Sequence, residues 1–161
     1  HPGAVLVCLG PLTNVAEAFR RQPGLPCELA SMIVLGGAVR CDGHAPDGAE
    51  WNAWLDPRAA ADALALAGSA GTPITLIGNE VVNEHAVDWK GPLVQRLCEP
   101  PVGPEPGRTL TEEEARMCYG RRLVALQPEA LTMDPLAAAY VIAPDLFTVD
   151  EVRITVDPGT G

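Results

Sequence analysis

The sequence is poor in basic side chains. Eleven Lys and Arg stand against 21 Asp and Glu in 161 residues, a formal net charge of -10. No Lys/Arg cluster is available to neutralise phosphates, so neither nucleic acid nor an anionic membrane surface is an expected partner. No apolar run is long enough to cross a bilayer, and no basic stretch leading into an apolar signal core opens the chain. A soluble, cytoplasmic protein is therefore the expectation. There is no C-x-x-C pair: Cys8, Cys27, Cys41, Cys98 and Cys118 are odd in number and widely spaced, as reduced packing thiols are. Internal repeats and low-complexity tracts are absent too.

What is present is a core. Hydrophobic residues make up 47% of the chain and the mean hydropathy is +0.11, too apolar for disorder and enough for one domain, here residues 1–161. The chain opens at His1 without an initiator Met. It closes at Asp157-Pro158-Gly159-Thr160-Gly161 directly after a strand-like run, which reads as a piece truncated at the N-terminus and at the C-terminus.

Ala4 to Leu9 is a continuous apolar run closed by Gly10-Pro11, as a strand buried on both faces would be. Leu12, Val15, Ala16 and Phe19 then recur at helical spacing until Gln22-Pro23-Gly24 stops the pattern. Met32 to Leu35 reads as a second buried strand ending at Gly36-Gly37. After it comes an irregular stretch from Arg40 to Ala53, long for a connection and therefore a candidate functional loop. Asp56-Pro57 opens an Ala-rich helix running to Gly68, and Pro73 to Gly78 is a third strand. Strand, helix, strand, helix, strand is the pattern of an α/β fold, a mostly parallel, open sheet with flanking helices. Further on, the sequence predicts a helix over 84–98, a Pro/Gly-rich excursion over 100–107 and a helix capped by Thr111 and Glu114 that runs to about Leu126. A last helix starts near Thr132-Met133-Asp134-Pro135, and a final strand spans Val149 to Val156.

In open parallel sheets ligands bind where strands deliver their carboxyl ends. Glu50 and Asn52 lie just beyond one such end. If the backbone there is extended, they point to one side and can accept from and donate to sugar hydroxyls; the alternative is a solvated loop with an aromatic anchor. Asp134 before Pro135, like Asp56 before Pro57, is read on its own as a helix cap. Gly36-Gly37 can cradle a phosphate or make a tight turn, and no G-x-G-x-x-G or Walker pattern surrounds it. His44 and His85 are isolated.

Together these segments resemble the inosine-uridine preferring nucleoside hydrolase family. Leu9-Gly10-Pro11-Leu12-Thr13-Asn14 is similar to that family's G-P-L-T-N turn, and Ile33 to Ala38 to its M-G-G-A strand end. Gly43 to Pro57 resembles G-N-x-x-P-A-A-E-F-N-x-x-x-D-P, Asp134-Pro135-Leu136-Ala137 resembles H-D-P-L-A, and Pro144-Asp145-Leu146-Phe147 the segment after it. The resemblance implies hydrolysis of the N-glycosidic bond of ribonucleosides to ribose and free base with a bound Ca2+, by a homodimer or homotetramer. It implies Asp134 and the Leu9 carbonyl as metal ligands. It also implies Glu50, Asn52, His44, Trp51, Leu35 and Asp134 as substrate-binding residues, with Trp51 walling the pocket.

Three departures accompany it. The family's N-terminal D-x-D-x-x-x-D-D cluster, with the remaining calcium carboxylates and the general base, is not among these residues, so the 161-residue piece alone is expected to be inactive. Met133 occupies the place of the general-acid His and cannot donate a proton to the departing base. No catalytic residue is assigned, and a non-catalytic nucleoside- or ribose-binding descendant is the alternative. His44 stands where the family has Asn, and still donates and accepts one hydrogen bond.

Overall fold

The computed structural model describes residues 2–84 and 133–159. With the exception of Met133, these belong to one compact unit built from the first 84 residues and the segment beginning at Asp134. The expectations for residues 85–98, 100–107 and 111–126 lie outside the described residues.

Strands β1 (Ala4–Cys8), β2 (Leu29–Leu35) and β3 (Ile74–Ile77) form a parallel sheet in the order β1-β2-β3. Helices α1 (Thr13–Arg21) and α2 (Leu25–Glu28) connect the first pair, and α3 (Trp51–Leu55) and α4 (Pro57–Ser69) connect the second. Both crossovers step the same way along the sheet, so their helices share a face, and α1 packs on α4. This is the α/β fold that the order of apolar runs implies.

Register explains the core. Leu6, Met32 and Ile74 align across the three strands, as do Cys8, Val34 and Leu76. These side chains pack with Leu12, Ala16 and Phe19 of the first crossover and with Ala59, Ala60, Ala63 and Ala67 of α4. Alanines at i, i+1, i+4 and i+8 let α4 approach the sheet closely, and Phe19 and Met32 fill the space between. Val7, Ile33 and Thr75 form the intervening row on the opposite face. There the Thr75 hydroxyl lies 3.5 Å from the Tyr140 hydroxyl of α6 (Met133–Ile142). A short helix α5 (Asn79–Glu84) leaves the end of β3.

Two expectations are corrected. β1 is not buried on both faces: Ala4 and Val5 are exposed, because the strand is an edge of the three-stranded sheet, whereas Met32 to Leu35 of the central β2 are all buried. The run Val149 to Val156 joins no ladder among the described residues. Its apolar alternation is used in packing instead, with Val156 against the core between α1, α4 and the sheet.

Candidate active site

The carboxyl ends of β1 and β2 open into a cavity of about 360 Å³, within the range of small-molecule sites. Leu35, Glu50 and Asn52 line it together with Gly10, Gly36 and Gly37, and Arg153 contributes to its rim. Three of the residues singled out in the sequence are therefore brought together. Leu9, His44, Trp51 and Asp134 are not among its lining residues.

Glu50 is not on extended backbone running through Asn52. It is the N-cap of α3, and its carboxylate accepts from the Asn52 and Ala53 amides, each at 3.0 Å. Only 8% of Glu50 remains exposed. Two orphan N–H groups at a helix start are satisfied in this way, and they hold the negative charge in one orientation. Asn52 is fixed from the other side, donating from Nδ2 to the Leu35 carbonyl at 3.1 Å. The pair is thus fastened to the end of β2 by a helix cap and a side-chain bridge, not by strand alternation. One oxygen lone pair of Leu35 is taken up by this bridge.

Two glycines make the arrangement possible. A Cβ on Gly36 would lie 3.1 Å from Glu50 Oε2, so a side chain there would press on the carboxylate. A Cβ on Gly43 would collide with the Ala49 carbonyl, so the loop before Glu50 closes only on glycine. The Gly36 amide donates to the Ile77 carbonyl at 3.0 Å, prolonging the sheet ladder and removing one donor that a phosphate cradle at Gly36-Gly37 would need.

His44 is exposed, and its Nδ1 lies 3.4 Å from Nδ2 of Asn79, a residue 5% exposed. The same side of the site is pinned by Glu80, whose carboxylate accepts from the Val39 and Arg40 amides. Burial of Glu80 works against its ionisation, but those backbone bonds outweigh it and hold the carboxyl below its usual range. Trp51 is half exposed and tilts against Trp54 with ring centroids 5.4 Å apart. Leu9 is 44% exposed just past the end of β1.

The two Asp-Pro dipeptides differ. Asp56 caps α4, accepting from the Ala59 amide at 3.0 Å and from the Thr13 hydroxyl at 2.6 Å, so it also ties the start of α1 to the start of α4. The Thr13 bond, followed by the Ala59 amide, lowers its pKa. Asp134 instead is an exposed residue inside the first turn of α6, and its partial desolvation pushes its pKa up. It makes no hydrogen bond or ion pair with the described residues. Carboxylate and carbonyl oxygen are the donor types that Ca2+ takes, so Asp134 and Leu9 suit it in kind. They supply two of the roughly six to eight oxygens it needs. Among the described residues no group of three His, Cys, Asp or Glu side chains completes a metal site.

Sequence reasoning missed Asn79 and Arg153. Asn79 follows the third strand directly, so the strand-end rule that singled out Gly10 and Gly36-Gly37 applied to it equally. Arg153 had no such signal, since it was placed inside an expected strand.

Comparison with known proteins supports this reading of the chain. The family model described as inosine-uridine preferring nucleoside hydrolase matches residues 1–161. The chain is 29% identical over 155 residues to the inosine-uridine preferring nucleoside hydrolase of Crithidia fasciculata, covering 94% of this chain and 45% of that protein. It is 28% identical over 152 residues to a pyrimidine-specific ribonucleoside hydrolase of Shewanella woodyi, covering 94% and 46%. Among solved structures, the inosine-uridine preferring nucleoside hydrolase of Bacillus anthracis superposes with a TM-score of 0.64 at 25% identity, over all of this chain and 51% of that one. The chain spans about half the length of the relatives it matches.

Proposed function

The chain belongs to the inosine-uridine preferring nucleoside hydrolase family, and from that premise we propose that the intact protein hydrolyses the N-glycosidic bond of ribonucleosides, releasing ribose and free base. The observation that carries the proposal is the cavity at the ends of the strands, where a buried, oriented carboxylate (Glu50) and a tethered amide (Asn52) sit side by side.

Breaking a glycosidic bond develops positive charge on the ribose ring, and fixed carboxylates beside the ring stabilise that charge more than they stabilise the ground state. Glu50 accepts a ribose hydroxyl with the lone pairs left free by the Asn52 and Ala53 amides. Asn52 uses its second amide N–H and its carbonyl for a neighbouring hydroxyl. Because both side chains are already held, little reorganisation is required when charge appears. Leu35 bounds the cavity beside them; Trp51 and His44 do not line it and are assigned no contact to the sugar.

Ca2+ is the proposed cofactor. Asp134 and the Leu9 carbonyl hold it in part, with the other ligands coming from elsewhere in the intact protein. When bound, it supplies a water activated for attack near neutral pH.

Met133 favours a second reading. A thioether cannot protonate a departing base, so leaving-group activation is weakened, and the polarizable sulfur offers only contact with the base. The protein is then either slow and purine-preferring or a binder that does not cleave. Incubating the intact protein with inosine, uridine and Ca2+ and measuring reducing sugar separates the cases. Ribose release establishes the hydrolase. Calorimetric binding of nucleoside without ribose release establishes the binder, and neither signal rejects the proposal.

A further inference from the structure

We propose that Asn79 is a positioning residue that fixes the tautomer of His44, leaving the ring proton on Nε2. The inference does not rest on the nucleoside reading above.

Asn79 begins α5 one residue after β3, beyond Gly78, and only 5% of it is exposed. Its backbone is locked: the Asn79 amide donates to the Gly37 carbonyl at 2.9 Å, and the next residue, Glu80, takes the amides of Val39 and Arg40. The exit of β2 and the exit of β3 are thereby clamped to each other. From this fixed base the Asn79 side chain reaches His44, with Nδ2 at 3.4 Å from Nδ1. An amide nitrogen can only donate, so the imidazole nitrogen facing it must be the bare acceptor. In the neutral ring the proton then sits on Nε2, the nitrogen turned away from Asn79. His44 lies in the irregular loop, whereas Asn79 is anchored to the sheet. Orientation therefore passes from Asn79 to His44, as an outer-shell partner orients a histidine in other sites.

The test is ¹⁵N–¹H correlation NMR of the ligand-free intact protein at a pH where the imidazole is neutral. The signals lost in His44→Gln are those of His44. The expected spectrum shows Nε2 protonated and Nδ1 carrying the shift of a hydrogen-bonded acceptor. In Asn79→Asp the facing atom is an acceptor, so the His44 proton moves to Nδ1. In Asn79→Ala the Nδ1 shift relaxes to that of an unbonded imidazole. A wild-type spectrum with Nδ1 protonated overturns the inference without recourse to any variant, as do identical His44 signals in wild type and Asn79→Asp. Nucleoside hydrolysis can fail while these spectra hold, which would reject the function and leave the tautomer standing; the reverse outcome is equally distinguishable.

Discussion

Glu50→Gln in the intact protein separates a helix cap from a group that acts on substrate. The substitution preserves size and one acceptor oxygen. It places an NH2 where the second carboxylate oxygen faces a backbone N–H at 3.0 Å. One charge-assisted bond is lost and two donors are opposed, at a cost of about 1–2 kcal/mol. For a protein of 150–250 residues that would lower Tm by roughly 2–8 °C, and a longer intact protein shifts less. The effect on turnover should be much larger. Removing a preorganised charge that faces the developing cation costs on the order of 100- to 1000-fold in kcat. Thermal melts and reducing-sugar release from inosine and uridine, measured on the same preparations, give both numbers. A variant that melts lower yet turns over within about twofold of wild type would show that Glu50 only caps α3, and the substrate role would be abandoned.

Other outcomes follow from the same geometry. Met133→His should raise turnover on inosine or uridine by supplying a proton donor, and unchanged or lower kcat counts against the general-acid account. The 161-residue chain alone should release no ribose from inosine or uridine, and detectable turnover refutes the need for additional residues. Asp56 has a lowered pKa, so its stabilisation is present above its unfolded value and is lost as pH falls through the folded one; Asp56→Asn should flatten the acid limb of a melting-temperature profile, leaving the limb above pH 6 parallel to wild type. Burial raises the Cys8 thiol from 9.0 to about 11, so native alkylation at pH 8 should mark exposed Cys27 and spare Cys8, as read by peptide mass mapping. The sign of that shift also means that stability is lost as pH rises from about 9 toward 11.

Local periodicity was a good guide wherever burial is set by neighbours close in sequence. Phe19 and Ala16 fall on the buried side of α1 as their spacing requires, and Asp56 caps α4 as Asp before Pro should. It misled where exposure depends on position in the sheet: nothing in Ala4 to Leu9 says that β1 is an edge of the described sheet. Glu50 and Asn52 were identified as a pair, but through an extended backbone that the helix α3 replaces. The capping bond that makes the helix comes from Glu50 itself, and Glu is not among the residue types favoured at that position. Asn79 escaped notice because its partner His44 is 35 positions away, and only the parallel register of β2 and β3 brings their exits together.

The most direct measurement is a crystal structure of the intact protein with ribose and Ca2+. The account predicts a sugar in the strand-end cavity, with hydroxyls within hydrogen-bond distance of the Glu50 carboxylate and the Asn52 amide, and with Asp134 coordinating the metal. A sugar bound elsewhere, or Asp134 remote from both sugar and metal, would contradict it.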